Sequence, residues 1–356
     1  MEQAAAADTG AQALTVVADT LLSLFNDSGS RIGFPVLLTG WLIAMAAWLV
    51  VRRRERSLDD GTARTVSDLR AFLRHAFPAS AYWSRSAAVD GQLALFNKLL
   101  LPARWLVFGI TSSFAATQLA RALVATFDRR PELLEGTWGT VMLGGLLLLA
   151  FDFSTYVTHR LSHEMPALWA FHRVHHSAEA LNPLTLLRKH PVYDALSVAI
   201  DCAIVAPIQA LIIWQFGAQV SMHALGVAAT GFAMFAYAAS SLRHTHLWLS
   251  FGPLAESVLV SPALHQIHHS RAERHHDRNY GEVFSIWDLA FGTLYRPQGR
   301  EDLEFGLTHE AEQPHRSLVS ALLEPFGYAA RHLTGRKPVR APEPEPGPMP
   351  AEGLAP

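Results

Sequence analysis

The sequence has little of the chemistry on which most redox proteins depend. Among its 356 residues Cys202 is the single cysteine, which excludes intramolecular disulfides and metal clusters held by thiolates. It also has no haem-attachment motif and no convincing dinucleotide-binding fingerprint. Any redox function of this chain would therefore need electrons from another protein.

Charge is scarce as well. Only 17% of the residues are charged, the formal net charge is −2, and half of the residues are hydrophobic. The mean hydropathy is +0.16, which is typical of an integral membrane protein with a polar cap. Nothing in this charge balance indicates electrostatic capture of nucleic acid.

Long runs without charge predict the spans. Ile32 to Val51 is long enough to cross a hydrocarbon core, and shorter candidates run from Trp105 to Ala120 and from Trp138 to Thr158. The 41 residues from Cys202 to Leu242 carry no formal charge, so they predict a helical hairpin with a turn near Gly217. We therefore expect an all-α integral membrane bundle of about four to five transmembrane helices with a cytosolic helical cap.

The predicted organisation has five parts. Residues 1–31 form an N-terminal segment in which Ala11 to Phe25 is amphipathic and lies either along the membrane or against the bundle. Residues 32–134 hold N-terminal transmembrane and interfacial helices, among them an amphipathic helix around Ala63 to Phe77. Residues 135–300 form a histidine-rich domain, 301–336 a C-terminal cytosolic helical segment, and 337–356 a disordered proline-rich tail.

Histidine is the residue the chain has in excess. Fourteen of its 18 histidines lie between His159 and His276. Histidines three and four positions apart share one helix face, and this spacing recurs in three boxes. The boxes are His159/His163, His172/His175/His176 and His265/His268/His269. Pro166 and Pro262 precede the second and third boxes and can open their helices.

The hairpin brings the boxes to one side of the membrane. The first two boxes precede it and the third follows it, so two crossings return the chain to the same face. The arginine-rich stretch 52–56 marks that face as cytoplasmic by the positive-inside tendency.

Imidazole suits Fe(II), Zn(II), Cu and Ni when it is neutral and when an acceptor holds its second nitrogen. Asp152 and Glu164 are the candidate acceptors. The local carboxylates are too few for an all-oxygen calcium or magnesium site. We expect a nitrogen-rich centre of two metal ions.

Residues 152–191 and 259–297 resemble the core of the fatty acid hydroxylase/sterol desaturase superfamily, whose membrane enzymes carry the same three boxes around two irons. The resemblance is specific over 152–297 and weak in the N-terminal third. It implies that 135–300 is the catalytic domain. It also implies O2-dependent hydroxylation or desaturation of a lipid: a sterol or hopanoid, a fatty acyl chain or a sphingolipid.

The resemblance also implies a ligand set. His244 stands where relatives carry an additional ligand, whereas Ser240 stands where some carry another one. The nine expected metal ligands are His159, His163, His172, His175, His176, His244, His265, His268 and His269. Asp152, His190 and Asn279 are expected to line or support the site, and for His190 a purely structural hydrogen bond is the equal alternative.

We accordingly expect a diiron cofactor, with zinc able to substitute in preparations, and a multi-pass protein of a bacterial inner membrane whose site faces the cytoplasm. The expected partners are a membrane lipid, O2 and an electron donor such as a ferredoxin or a cytochrome b5-type protein, and no nucleic acid. No residue outside the metal centre is expected to be catalytic.

The competing hypothesis is a histidine-rich membrane metal transporter or metal-binding protein. Transporters place ligands within spans along a pathway, whereas these boxes lie at span ends. His275 and His276 fall in a charged run that predicts a solvated loop, or at most a supporting position beside the site. His223 is expected to be a helix-packing or turn residue near the far turn of the hairpin.

Overall fold

The computed structural model describes residues 34–56, 65–100, 111–127, 136–235, 240–308 and 313–335. Within these ranges the regular structure is helical, and the only β-type pairing consists of two isolated bridges, Leu259 with Phe284 and Ser270 with Phe305. The prediction of an all-α fold is confirmed. The predicted amphipathic segment Ala11 to Phe25 and the tail 337–356 lie outside the described residues.

Eleven helices of six or more residues follow one another in the described ranges. They are α1 (Phe34–Arg56), α2 (Thr65–Ala76), α3 (Arg85–Leu99), α4 (Ser112–Thr126), α5 (Gly136–Glu164), α6 (Pro166–His176), α7 (Pro191–Phe216), α8 (Ala218–Phe235), α9 (Pro262–His268), α10 (Ile286–Phe291) and α11 (Leu318–Leu333). Short helical turns occupy Ala79–Tyr82, Pro183–Leu187, Ser241–Arg243, Ala255–Ser257 and Glu273–His275.

Three of these helices, α5, α7 and α8, are long and apolar enough to cross a membrane. The apolar part of α1, Phe34–Val50, is shorter. The predicted hairpin is present: α7 ends at Phe216, Gly217 has a φ of 91°, and α8 begins at Ala218. Glycine reaches this left-handed region without the steric penalty of a side chain, so the turn occurs there. The predicted span 105–120 extends into residues outside the described ranges, and α4 continues beyond its end, to Thr126.

The spanning helices pack through small and aliphatic residues. Leu143, Leu147, Val205, Ala224 and Ala228 form one buried cluster among α5, α7 and α8. A second cluster joins α4 to α7 and consists of alanines: Ala116, Ala120, Ala206 and Ala210. Small side chains let helix backbones approach closely, which is how helices associate in membranes.

The helices of the cap begin where the sequence predicts. Pro166 is the first residue of α6 and Pro262 the first residue of α9, and proline at this position sacrifices no intrahelical hydrogen bond. The Ser261 side chain caps α9 by accepting from the Leu264 amide at 3.2 Å. Since α6 directly follows α5, the second box lies beside the first.

A buried ion pair fastens α3 to this cap. Arg188 donates to Asp90 at 3.0 Å, and both side chains are at most 2% exposed. Arg188 also donates to the Val174 carbonyl at 2.8 Å and to Ser177 Oγ at 2.9 Å, at the end of α6. These further bonds offset the desolvation of the buried charges and fix the helix that carries the second box.

Candidate metal centre

The structure brings all nine histidines predicted as ligands together, in two groups. The first histidine group contains His159, His163, His172, His176 and His268. The second histidine group contains His175, His244, His265 and His269. Within each group one ring nitrogen of every histidine lies within 4.8 Å of the others, a spacing that could hold a metal ion.

The boxes do not correspond to the groups one to one. The second box divides, so that His172 and His176 face the first histidine group and His175 the second. The third box divides in the same way, with His268 in the first group and His265 and His269 in the second. Residues i and i+4 share a helix face while i+3 is rotated from it, so one short helix supplies both groups.

Nitrogen atoms converge inside both groups. In the second group His244 Nε2 lies 3.2 Å from His175 Nε2 and 3.0 Å from His265 Nε2. His265 and His269 bring their Nε2 atoms to 3.2 Å, and in the first group His172 and His176 do the same at 3.2 Å. Nitrogens that bind one ion at about 2.1 Å lie roughly 3.0–3.4 Å apart, so the spacing fits adjacent ligands of a shared cation.

Buried nitrogens without hydrogen-bond partners point to the same conclusion. Among the described residues, His163 Nε2 and His268 Nε2 are buried and accept or donate no hydrogen bond. A buried polar atom left without a partner costs about 1–3 kcal/mol, and a cation bound between these atoms would remove that cost. The donor set therefore fits transition-metal ions.

The imidazoles of the cap are neutral and thus able to bind metal. Burial, followed by the neighbouring imidazoles, holds the pKa values of these side chains well below the ordinary 6.5. They are His172, His175, His176, His265 and His269, and His268 shares the burial effect. At neutral pH each keeps a lone pair for a metal ion.

Main-chain carbonyls orient two of the rings. His159 Nδ1 donates to the Tyr280 carbonyl at 2.8 Å, and His268 Nδ1 donates to the Arg278 carbonyl at 2.8 Å. A ring that donates through Nδ1 keeps its lone pair on Nε2. The expectation that Asp152 and Glu164 accept from the histidines is wrong: Glu164 pairs with Arg160 at 2.8 Å, because both project from the same face of α5.

Two buried aspartates hold the segment that supplies those carbonyls. Asp152 on α5 accepts from the Val283 and Phe284 amides at 2.9 and 3.1 Å and from Trp287 Nε1 at 2.9 Å. Asp288 accepts from the Tyr280 and Gly281 amides, both at 2.8 Å. Asp152 therefore ties α5 to the main chain of this segment.

Asn279 and His190 also have structural partners. Asn279, with a φ of 57°, donates to the Leu264 carbonyl at 3.1 Å and so ties the loop to α9. His190 caps α7 by accepting from the Val192 amide at 3.2 Å, and its Nε2 donates to the Leu322 carbonyl at 3.1 Å. These contacts of His190 are the structural hydrogen bonds that the sequence analysis gave as the alternative to a position in the site. The His190 ring also packs on Phe171, next to the second box.

The other histidines described belong to neither histidine group, although His276 lines the cavity beside them. His246 contacts the His75 carbonyl instead of the site, as its i+2 offset from His244 requires. The solvated-loop prediction holds for exposed His276 but is wrong for His275, which is buried and 3.1 Å from Glu301. His223 is exposed on α8, so the packing prediction for it is wrong as well.

A polar cavity of about 340 Å³ adjoins both histidine groups. Its wall includes His163, His176, His268 and His269, together with Trp169 and Arg173 of α6 and Tyr328 of α11. Sequence reasoning did not single out Arg173 or Tyr328. The only local signal was the position of Arg173 inside the second box, next to His172, and Tyr328 lies far away in the chain.

Comparison with known proteins gives a consistent set of relatives. Residues 144–293 match the family model described as fatty acid hydroxylase. The ornithine lipid hydroxylase OlsE of Rhizobium tropici is 29% identical over 199 residues, which cover 56% of this chain and 54% of that protein. The alkylglycerol monooxygenase of Danio rerio is 32% identical over 185 residues, covering 49% of this chain and 35% of that protein.

The alkylglycerol monooxygenase of Xenopus tropicalis is 33% identical over 186 residues, covering 50% of this chain and 35% of that protein. The matched part of this chain thus spans 54% or less of the length of these relatives. No solved structure matches the chain significantly.

Proposed function

We propose that the chain is a membrane-bound oxygenase that hydroxylates a lipid, since residues 144–293 match the fatty acid hydroxylase family model and the similar proteins are named as lipid hydroxylases and monooxygenases. Overall, a lipid C–H bond and O2 would give a C–OH group and water, with electrons from an external donor and protons from solvent. The single observation that carries the proposal is the convergence of nine imidazoles, eight of them buried and that of His163 half-buried, in two groups beside the end of the apolar helix α5.

The nine histidines are proposed as the metal ligands, with the first and second histidine groups each holding one iron ion. Bound iron would supply the oxygen activation that no side chain of this protein can provide. Zinc would fit the same nitrogen donors, so it is the ion we expect to replace iron in preparations.

The residues of the chain would orient the ligands and keep water out. The Tyr280 and Arg278 carbonyls fix the rings of His159 and His268, and Asp288 holds the Tyr280 segment in place. Supporting contacts of this kind set ligand geometry and basicity. Asp152, Asn279 and His190 are proposed to support the site in the same indirect way, through the loop and the helix starts that they fix.

Hydroxylation is favoured over desaturation because the relatives are named as hydroxylases and monooxygenases. The transporter hypothesis is disfavoured by the position of the histidine groups. They gather where α5 ends and in the cap, whereas the α7–α8 hairpin has His223 as its single histidine, exposed on α8.

Electrons would come from a ferredoxin or a cytochrome b5-type protein that docks on the cap. The site would face the cytoplasm of a bacterial inner membrane. Purified protein with O2 and lipid but no donor should not turn over repeatedly, and sustained turnover without a donor would contradict this assignment.

Lipid mass spectrometry tests the function directly. Cells that contain the gene should accumulate a lipid one oxygen heavier than its counterpart in cells without it, and the set analysed should include sterols, hopanoids, acyl lipids and sphingolipids. Cells that express the His268→Ala variant, with membrane insertion verified, should resemble cells without the gene. A loss of two hydrogens would indicate desaturation, and an unchanged lipid profile would reject the oxygenase.

A further inference from the structure

The exposed apolar side chains of the cap lie in two places. Among the described side chains after residue 240, the large hydrophobic ones that are exposed are Leu254, Val258, Leu289, Phe291, Val319, Leu323, Phe326 and Leu333. The first four belong to α10 and to the segment around the short turn Ala255–Ser257, and the last four belong to α11. On a surface that faces water such side chains usually occur singly, so two concentrations of them indicate contact with another apolar surface.

On α11 the exposed apolar residues form one stripe. Val319, Leu323, Phe326 and Leu333 are 65%, 64%, 52% and 76% exposed, and the exposed Ala330 lies among them. Their positions advance by three or four residues at a time, which places all five on one face of a helix. We call this face the apolar stripe of α11. The opposite face holds the buried residues Ala321, Pro325 and Ala329.

The opposite face of α11 already packs on the cap. Ala321 forms a buried cluster with Val89 and Leu93 of α3 and with Val174 of α6. Since α6 carries the second box, this packing fixes α11 relative to the histidine groups. The apolar stripe is therefore not required to hold α11 on the cap.

The apolar stripe lies next to the start of a spanning helix. His190 precedes Pro191, the first residue of α7, and its Nε2 donates to the Leu322 carbonyl of α11 at 3.1 Å. Phe326 of the stripe packs edge to face on the His190 ring, with ring centres 5.4 Å apart, and on Phe171 at 5.2 Å. Because α7 is long and apolar enough to cross a membrane, its first turn and the stripe beside it lie at the membrane boundary.

The other exposed apolar residues of the cap adjoin a second spanning helix. Phe291 of α10 stacks on Tyr156 and on Phe153 of α5, with ring centres 5.6 and 6.3 Å apart. The Ser285 amide donates to the Val258 carbonyl at 3.0 Å and so ties Val258 to the start of α10. Both concentrations of exposed apolar side chains thus lie where the cap meets a spanning helix. Lipid at the membrane surface is the partner that both places share.

Length and charge decide how α11 would lie in the membrane. Its 16 residues extend roughly 24 Å, which is less than the hydrocarbon thickness of about 30 Å. Glu324 and Arg331 are exposed outside the apolar stripe, so the helix also has a charged side. A helix with one apolar and one charged side lies along the membrane surface, with its apolar side among the acyl chains.

We propose that α11 is an interfacial membrane helix, whose apolar stripe inserts among the acyl chains of the leaflet in which α7 begins, while Glu324 and Arg331 stay in water. Through the packing of its inner face on α6, it holds the second box at the lipid surface. The proposal concerns how the cap is seated on the membrane, so it goes beyond the proposed oxygenase and does not depend on it.

The test measures the surroundings of single positions on the full-length chain, purified and reconstituted into phosphatidylcholine vesicles. In a Cys202→Ala background, which removes the only cysteine, the thiol-reactive fluorophore nitrobenzoxadiazole is attached to Leu323→Cys, Glu324→Cys, Ala330→Cys or Arg331→Cys. Each stripe position thus has its neighbour in the chain as a matched control. The quenchers are iodide in the water and a phosphatidylcholine that carries a nitroxide on its acyl chain.

The nitroxide lipid should quench the fluorophore at Leu323 and Ala330, and iodide quenching should be almost completely lost there. At Glu324 and Arg331 iodide should quench and the nitroxide lipid should have little effect. Nitroxides at two depths should place the stripe positions roughly 5–10 Å into the boundary between headgroups and acyl chains.

Two further positions calibrate the signals. Leu211→Cys lies on the exposed side of α7 and gives the signal of contact with lipid, and Asp302→Cys gives the signal of exposure to water. Circular dichroism must give the same thermal midpoint for labelled and unlabelled protein, so that the quenching reports the folded chain.

Iodide quenching at all four α11 positions would overturn the proposal, because the apolar stripe would then face water. Protection of the stripe positions from both quenchers would overturn it as well, because protein would then cover them. Protection that decreases when the vesicles are diluted with lipid would identify a second copy of this chain as the cover, and protection that does not would identify another part of the same chain. The assay needs neither metal nor substrate, so its failure and the failure of the oxygenase proposal are distinguishable.

Discussion

At the scale of single residues, the site depends on nitrogens that are buried and neutral. His163 Nε2 and His268 Nε2 have no hydrogen-bond partner among the described residues, and the neighbouring rings approach them edge to face at about the distance of aromatic contact. Without a cation this arrangement would leave polar atoms buried at a cost. Metal ligation itself stays a prediction, and single substitutions can test it.

Replacing His268 by alanine should remove one nitrogen from the first histidine group. We expect metal affinity to fall at least about tenfold, because the loss of a residue that only supports a metal ligand already lowers metal affinity by that factor. Lipid oxidation should be abolished. Elemental analysis of the purified variant measures this change. His223→Ala is the matched control, because His223 is exposed on α8 and should keep the full metal content.

Asp288→Asn should loosen the same group without touching a ligand. An asparagine would turn an N–H donor toward either the Tyr280 or the Gly281 amide, each of which now donates to the carboxylate at 2.8 Å. The displaced Tyr280 carbonyl would orient His159 less well, and metal affinity should fall about 10–100-fold. Competition with a chelator measures this affinity. The exposed Asp302→Asn should match the unsubstituted protein, and an equal loss in both variants would contradict the role given to Asp288.

At the scale of elements, the close approach of α5 to α8 depends on a glycine. Gly144 of α5 faces α8, where an added Cβ would overlap Val227 and come within 2.9 Å of the Ala224 carbonyl. The next residue, Gly145, has open space in that direction. Two adjacent glycines on one helix therefore have different roles.

Gly144→Ala should separate α5 from α8 and lower the stability of the bundle by about 1–3 kcal/mol. The added methyl group would meet the Ala224 carbonyl and the base of the Val227 side chain, which cannot move aside without a shift of the α8 backbone. Gly145→Ala should leave the stability nearly unchanged. Thermal unfolding in detergent, followed by circular dichroism, compares the two. Similar midpoints for both variants would show that this contact does not limit the packing of the spans.

At the scale of the whole molecule, the histidine groups join distant parts of the chain. They connect the end of α5, the helices α6 and α9, and the segment after the hairpin. Shared ions would therefore act as links between a membrane bundle and its cap, and removing them should affect the stability of the entire fold.

Metal-free protein should become less stable as the pH falls from about 7 to 5. Folded His172, His175 and His265 have pKa values well below 6.5 because they are buried, whereas in the unfolded chain they take up protons near 6.5. The unfolded state then binds more protons, which lowers the free energy of unfolding by about 1.4 kcal/mol per pH unit for each such group. Thermal midpoints of chelator-treated and metal-loaded protein at several pH values test this. A midpoint of the metal-free protein that does not change over this range would contradict the burial of neutral imidazoles.

Much of the architecture could be predicted from local sequence. An uncharged run with Gly217 near its middle determines a hairpin, and Pro166 and Pro262 determine where two cap helices begin. The helical spacing of the boxes places His172 with His176, and His265 with His269, on one face of their helices. These features depend on residues close together in the chain, so they can be read without a structure.

The division of the histidines into two groups was decided only by the tertiary structure, because it depends on how α6 and α9 face each other across the site. The same holds for the carbonyls of Tyr280 and Arg278, since any residue carries such an acceptor and only folding brings these two to His159 and His268. The stacking of Arg173 on Tyr328 joins residues more than 150 positions apart, and no local pattern encodes a contact of that range.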